Sequence, residues 1–557
     1  MSRDMSKVVL LSINAKYVHS SLAVWLLCGG VAKYARLPHD VKIVEATINQ
    51  PDDEIAGRVV VHKPDVVGIS TYIWNAGKLP SLLMLLRERL PNAVFVLGGP
   101  EASHNAAHWL NHGADYVLRG EGECHFPALL DALDDHDQAT LASIPGLWGK
   151  QGGQIHVAPE DDSIIDEWDA IDEWIDPYSD AYFDALNRRI AYIETSRGCP
   201  FRCAFCLSGG SGVRFLPVDA AKEQLYRLSQ SGVQTIKLVD RTFNCNAERA
   251  YALFAYIIGL DTACRFHFEV AADLFDARTL SLLATAPPGR IQLEAGLQSF
   301  HEPALKAVSR RTDLAKAENN IRALLSHNNI HVHVDLIAGL PFETLSHFQD
   351  SFDRAYALGA HTLQLGFLKL LHGSALRAEA EKLGIRYAED PPYGIIGSPW
   401  LSEEDIETLK QTENALRHTY NKGRFLSALH YALSVSGLRP FTLYHALGKA
   451  APNHGTPLVD YAQQIYAFCI NLPGVLTDPL RACMIIDWLG MVKGENRPPF
   501  LKVEDRRLKQ VAAVAEKQLG RRIARHEAAI LPSGRGVFVD SGHCDPVTGL
   551  YQVHQVY

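Results

Sequence analysis

The sequence predicts an α/β protein in three parts: a doubly wound parallel sheet, a partial (β/α)6 barrel, and a mainly helical C-terminal region. Three observations predict it. Five short apolar runs alternate with helical stretches between residues 7 and 135; six more strand-like runs, separated by helix-length stretches, begin at 189; helical periodicity dominates from 400. The expected boundaries are 1–150 for the first part, 151–188 for an acidic linker, 189–375 for the barrel and 376–557 for the remainder.

In the first part the strands read KVVLLSI, VKIVEA, VVGIS, VFVLGG and YVLRG, with LPSLLMLLRERL at 79–90 a representative helix between them. Near-continuous apolar strands with intervening helices belong to a sheet covered on both faces, whose ligands bind beyond the strands' carboxyl ends. The loops expected there are INAKYVHSS, STYIWNAG, GGPEAS and RGEGE. The linker around PEDDSIIDEWDAIDEWIDPYSDAYFDA carries no periodicity and reads as a solvated connector that packs a few aromatics on its neighbours. The barrel strands read RIAYIET, TIKLVD, FHFEVA, RIQLEAG, HVHVDLIAG and TLQLGFLK, and functional residues should gather at their C-terminal ends. Beyond them, Ser402 is the expected N-cap of a helix with Glu403, Glu404 and Asp405 in its first turn. A long basic helix is expected over 505–530, with Arg506, Arg507, Lys509, Arg521, Arg522 and Arg525; a solvated face is preferred over contact with an anionic substrate. GVFVD and LYQVHQVY around a turn-rich loop predict a terminal hairpin.

Composition is that of a globular protein, 47% hydrophobic and 21% charged over 557 residues. A net charge of −9 argues against a general DNA-backbone binder. Ten scattered cysteines are no disulfide framework, the N-terminus lacks a signal-peptide pattern, and no run of about 18 apolar residues predicts a membrane span, so a reducing cytoplasm is the expected compartment.

One cysteine cluster stands out. In ETSRGCPFRCAFCLSGG, Cys199, Cys203 and Cys206 follow a strand on a Gly-rich polar loop, spaced Cys-x3-Cys-x2-Cys. A structural zinc site takes four ligands, and a ferredoxin cluster takes four cysteines with other spacing. Three thiolates leave one metal position open for chemistry. Buried cysteines acting as small hydrophobes are the competing reading, which a polar Gly-rich loop disfavours. With Phe205 before the third cysteine, the loop resembles the cluster loop of radical S-adenosylmethionine (radical SAM) enzymes. GGP at 98–100 and RGEGE at 119–123 resemble the cobalamin-binding domain that precedes one large class of them, and no G-x-G-x-x-G follows the first strand.

The resemblance implies a 4Fe-4S cluster on Cys199, Cys203 and Cys206, with S-adenosylmethionine and cobalamin as further cofactors. It implies cobalamin contacts from Ser70, Thr71, Tyr72, Trp74, Gly98, Gly99, Pro100, Glu101, Gly120, Glu121, Gly122 and Glu123. Asp-x-His-x-x-Gly is missing and His19 lacks those neighbours, so no protein histidine is expected on cobalt; a domain that has lost its cofactor is the alternative. Phe205, Asp240, Arg241, Glu269, Glu294, Gln298, Gly339 and Pro341 are the implied S-adenosylmethionine contacts. Asp240-Arg241-Thr242 stands where many members carry Gly-Gly-Glu, and a helix-capping role for Asp240 is equally consistent. No catalytic side chain is assigned, and the C-terminal region resembles an uncharacterised domain.

The implied function is a cobalamin-dependent methyltransferase that acts on an unactivated carbon through a 5′-deoxyadenosyl radical and methylcobalamin, with an external one-electron reductant of flavodoxin or ferredoxin type. A cobalamin-linked cyclase or rearrangement enzyme and a non-enzymatic iron–sulfur module are the alternatives. A methylthiotransferase needs a second cluster, whereas the first 198 residues hold only Cys28 and Cys124.

Overall fold

The computed structural model describes residues 5–151, 153–158, 174–210, 212–492, 497–503 and 506–556. They form two compact units: Met1–Glu269 with Val308–Arg310 and Lys369–Ile395, and Val270–Ala307 with Arg311–Leu368 and Ile396–Tyr557.

In the first unit the five predicted strands run parallel at Ser6–Asn14, His39–Thr47, Val66–Ser70, Val94–Gly98 and Tyr116–Leu118. Val66–Ser70 is buried at every position, as expected of a strand covered on both faces. The second strand lies outside the first, and the third to fifth follow on its other side. The order therefore reverses between Ser6–Asn14 and Val66–Ser70, which places the ligand crevice of such a sheet at the loop after Ser70. Two short strands not foreseen, Leu147–Gln151 and Gln154–Val157, extend the sheet antiparallel, carrying it past residue 150. Most of the expected linker, 159–173, lies outside the described residues. Its end departs from the expected aperiodic connector in carrying a helix, Asp180–Leu186, capped by Ser179, while the burial of Tyr178 and Tyr182 is the aromatic packing expected of it. Ala191–Ile193, Thr235–Leu238 and Arg265–Val270 are the first three barrel strands, parallel.

The second unit carries the other three, Ile291–Gln298, His331–Ala338 and Thr362–Phe367, also parallel. The first two alternate strictly between buried and half-buried residues. Ala295 and Val334 lie on the buried side; Glu294, Gln298, His333 and Asp335 line the other. The α/β class and all six strands match the sequence expectation.

The C-terminal region is mainly helical. Ser402 Oγ accepts from Asp405 N at 3.1 Å and Asp405 Oδ2 accepts from Ser402 N at 2.9 Å, so the predicted cap is a reciprocal box. The predicted basic helix is shorter than expected: Leu508–Leu519 ends at Gly520, whose φ of +66° is the left-handed stop that glycine favours. Arg521 and Arg522 therefore lie beyond it, and Arg521 pairs with Glu527 at 2.8 Å and Asp540 at 2.9 Å. The terminal hairpin forms as predicted, Gly536–Cys544 against Tyr551–Val556, with Ala528–Ile530 as a third strand.

Helices Glu403–His418 and Pro440–Ala450 meet through Gly448, where a β-carbon would come within 1.9 Å of the Gln411 carbonyl oxygen. Gly448→Ala is expected to destabilise the protein by about 1–3 kcal/mol and lower its melting temperature by several degrees, because the obstruction is backbone. Helix propensity alone predicts the opposite sign, so an unchanged or higher melting temperature contradicts this packing.

Candidate active site

The three cysteines occupy the loop of a small hairpin in the first unit. Ser196–Gly198 pairs antiparallel with Val213–Phe215, opposing Arg197 to Arg214. Gly198 turns the chain at φ +96°, and a β-carbon on Gly209 would meet the Phe201 carbonyl oxygen at 2.7 Å, so the loop folds tightly on itself. Cys206 N donates to the Cys203 carbonyl at 3.0 Å. Cys199 and Cys203 are buried, Cys206 is exposed and Phe205 half-buried. Burial raises the Cys203 thiol pKa, the Arg310 guanidinium 3.8 Å from its sulfur opposes that, and the other two cysteines raise it further. Three sulfurs gathered on one tight loop, with that of Cys206 open to solvent, suit a metal cluster entering from that side.

Asp240-Arg241-Thr242 stands beside this loop, with Thr242 Oγ1 3.5 Å from Cys199 Sγ. Both Asp240 oxygens accept from Thr195, its N at 2.7 Å and its Oγ at 2.5 Å, and burial pushes Asp240 up to about 6. Arg241 is exposed. Glu269 pairs with Lys237 at 3.3 Å.

The remaining residues expected to contact S-adenosylmethionine lie in the second unit. Glu294, His333 and Asp335 bring one donor atom each within 4.8 Å of one another. Gln298 ends its strand at φ +70°, with a buried side-chain oxygen that accepts no hydrogen bond. Gly339, at φ +100°, and Pro341 are buried, and Phe342 is left-handed at +66°. Non-glycine residues in this region are strained and need fixing by their surroundings. Glu343, which sequence reasoning passed over, supplies the fixing: its Oε1 accepts from Ser299 Oγ at 2.5 Å and Ser351 Oγ at 3.3 Å.

At the carboxyl ends of the N-terminal sheet, Thr71 N and Oγ1 donate to the Gly98 carbonyl at 2.7 and 2.5 Å, locking two of the predicted cobalamin loops together. Gly99 allows this approach, since its β-carbon would lie 2.6 Å from the Thr71 carbonyl oxygen. Tyr72 and Trp74 stack at 4.3 Å, Trp74 is 45% exposed, and Ser70 Oγ is buried without a partner. Pro100 and Gly120 are exposed and Gly122 is half-buried. A stacked aromatic pair and an unsatisfied hydroxyl on the same loop fit a large flat cofactor with polar edges.

The acidic residues of these loops are already engaged. Glu101 is buried and accepts from Tyr393 OH at 2.5 Å. Glu121 and Glu123 each reach Arg197 at 2.7 Å, Glu194 reaches it at 2.6 Å, and Arg214 also binds Glu121. Burial would raise Glu123, yet Arg197 holds it below its ordinary value. His19 Nδ1 lies 2.6 Å from Tyr192 OH. Arg197, Arg214, Glu194, Tyr393 and Arg310 were all missed in the sequence; of these, Glu194 and Arg197 lie inside the quoted cysteine run and so carried a signal there.

Residues 8–130 match the B12 binding domain family, 193–355 the radical SAM superfamily and 381–528 a protein family of unknown function, DUF4080. The chain is 25% identical to the cobalamin-dependent radical SAM methyltransferase TokK of Streptomyces tokunonensis, over 65% of this chain and 54% of that protein. It is 27% identical to an anaerobic magnesium-protoporphyrin IX monomethyl ester cyclase of Synechocystis, over 52% of this chain and 59% of the cyclase. The chain thus spans little more than half the length of these curated relatives. Its fold resembles that of the radical SAM methyltransferase TsrM from Kitasatospora setae, solved with cobalamin and a [4Fe-4S] cluster, at a TM-score of 0.58, 17% identity and 70% and 78% coverage of the two chains.

Glu343 gives the site a pH signature. Burial pushes its carboxyl up to about 7, although two serine hydroxyls favour the charged form. The folded state holds this proton more tightly than the unfolded chain, so its contribution to stability is complete below about pH 4.5 and is lost as pH rises through about 7. Glu343→Gln keeps the shape without the titration. Between about pH 5 and about pH 8 the wild type should lose up to about 3 kcal/mol more stability than this variant in denaturant melts. Parallel losses in the two proteins exclude this role for Glu343.

Proposed function

The chain carries a B12-binding domain, a radical SAM domain and a DUF4080 domain, and from that premise we propose that it is a cobalamin-dependent radical SAM methyltransferase acting on an unactivated carbon. One observation carries the reading: the three-cysteine hairpin and the RGEGE loop are joined through Arg197 within one compact unit. When bound, the cluster with S-adenosylmethionine supplies a carbon-centred radical and the corrinoid supplies the methyl carrier.

In this reading Cys199, Cys203 and Cys206 hold the cluster. Arg310 offsets thiolate charge at Cys203, and burial of Cys199 and Cys203 limits water at the loop. Thr242 borders Cys199, and Asp240 fixes the end of the first barrel strand through Thr195. Tyr72 and Trp74 offer the corrinoid a platform, with Ser70 Oγ as a polar contact. His19 is held by Tyr192, which supports a cobalt centre without protein nitrogen. Gln298, Gly339 and Pro341 provide the strand-end backbone for the adenosyl group, with Glu343 as their support.

Delivery of electrons by a flavodoxin or ferredoxin type reductant in a cytoplasmic setting completes the proposal. No helix among the described residues is long and apolar enough to cross a membrane, and the net charge of −9 supports a substrate other than DNA.

Two measurements test this. Anaerobic reconstitution should load about four irons, the content of a 4Fe-4S cluster; replacing the three cysteines by alanine should abolish them, whereas Cys245→Ala and Cys264→Ala should not. Incubation with candidate substrate extracts, S-adenosylmethionine and reductant should then give methylated product, S-adenosylhomocysteine and 5′-deoxyadenosine in near-equal amounts. Accumulation of 5′-deoxyadenosine with a product of unchanged carbon count replaces methyl transfer by the rearrangement reading.

A further inference from the structure

The hairpin that presents the cysteines has an electrostatic fault at its base. Arg197 and Arg214 are direct cross-strand partners, two positive charges on opposing strands, and like charges so placed destabilise a strand pair. Their side chains are only 20% and 14% exposed, so water screens them poorly.

Part of the relief is local, from Glu194 three residues before Arg197; the bridge to Arg214 comes from elsewhere in the chain. Glu121 lies between the arginines, one oxygen 2.7 Å from Arg197 Nη1 and the other bonded to Arg214 Nη2. Glu194 and Glu123 pair with Arg197; of these three carboxylates, Glu121 is the one seen on both arginines. It belongs to the RGEGE loop at the end of the N-terminal sheet. Gly120, at φ +77°, leaves open space around its α-carbon. The other end of the loop is anchored: a β-carbon on Gly30 would meet the Glu123 carbonyl oxygen at 2.2 Å. Glu121 thus sits on the adjustable side of the loop, at the sheet end that faces the ligand crevice.

We infer that Glu121 is a coupling residue, through which occupancy of the corrinoid site steadies the base of the cluster hairpin. A ligand that orders the RGEGE loop holds Glu121 between the arginines and keeps the hairpin closed. An unoccupied loop lets Glu121 withdraw, and the two arginines push the strands apart. By linkage the effect is reciprocal, so a loaded cluster tightens corrinoid binding by the same factor. The inference rests on the cofactor assignment proposed above and adds a dependence between the two sites that this assignment does not require.

The test is the rate at which a chelator strips iron from the reconstituted full-length protein, with and without saturating hydroxocobalamin, iron and cobalamin content being measured first. In the wild type, cobalamin should slow iron loss by on the order of five-fold or more. Glu121→Gln leaves the arginines opposed in both states, so iron loss should be fast with or without cobalamin. Arg214→Gln removes the repulsion, so iron loss should be slow in both. Glu121→Gln combined with Arg214→Gln should return the slow rate, a rescue that loss of a mere packing contact does not produce. A wild type indifferent to cobalamin overturns the inference, as does either single variant with the wild-type ratio, or a double variant as fast as Glu121→Gln, while the cofactor assignment stands. A protein that takes up iron but no cobalamin overturns both.

Discussion

Arg197 sits where two loops meet that the rest of the first unit serves to hold. Its guanidinium binds Glu121, Glu123 and Glu194 at 2.6–2.7 Å with a side chain only 20% exposed. Burial works against the charge, yet the surrounding carboxylates keep Arg197 protonated well beyond its ordinary range. Removing one partner from such a buried set leaves uncompensated charge, which is strongly destabilising. The strands of the N-terminal sheet and the first barrel strand are rigid supports, and this contact transmits their positions to the cysteine loop two residues away. A geometry so fixed suits chemistry in which alignment of reactants supplies much of the rate.

The second unit solves a different problem by similar means. Two of its strands carry polar residues on the less buried face, and left-handed backbone occurs at the strand end Gln298 and at Phe342 beyond the next strand. A buried carboxyl, Glu343, ties the serines of neighbouring segments together. Such a network stabilises the fold only while fully satisfied, and one Glu343 oxygen is buried without a partner. That leaves an acceptor beside the left-handed turn at Phe342.

What could be read in the sequence follows from how local each signal is. The strand sequences of both sheets were legible because continuous apolar runs mark the first and alternation marks the barrel, as in RIQLEAG and HVHVDLIAG. The cysteine loop was legible from its spacing together with its Gly-rich polar setting. The helix stop at Gly520 was in view, since glycine after an amphipathic run is a stop signal, but helical periodicity on both sides obscured it. The hairpin at 147–157 was too short and glycine-rich to stand out. The partners that reshape the site were out of reach of any local pattern: Arg197 meets Glu123 from 74 residues away, Arg310 meets Cys203 from 107, and Tyr393 meets Glu101 from 292. Glu101, Glu121 and Glu123, singled out by resemblance as corrinoid contacts, are also bonded to a tyrosine and to arginines, pairings that only the folded chain reveals.

The most direct test of the account is whether both cofactors are held close together in one unit. Electron paramagnetic resonance of the fully loaded, reduced protein reads this without any substrate. The account predicts a cob(II)alamin signal without nitrogen splitting from the protein, broadened by magnetic coupling to the reduced cluster, and sharpened when the three cysteines are replaced by alanine. A cob(II)alamin signal identical in the loaded protein and in the cluster-free variant contradicts it.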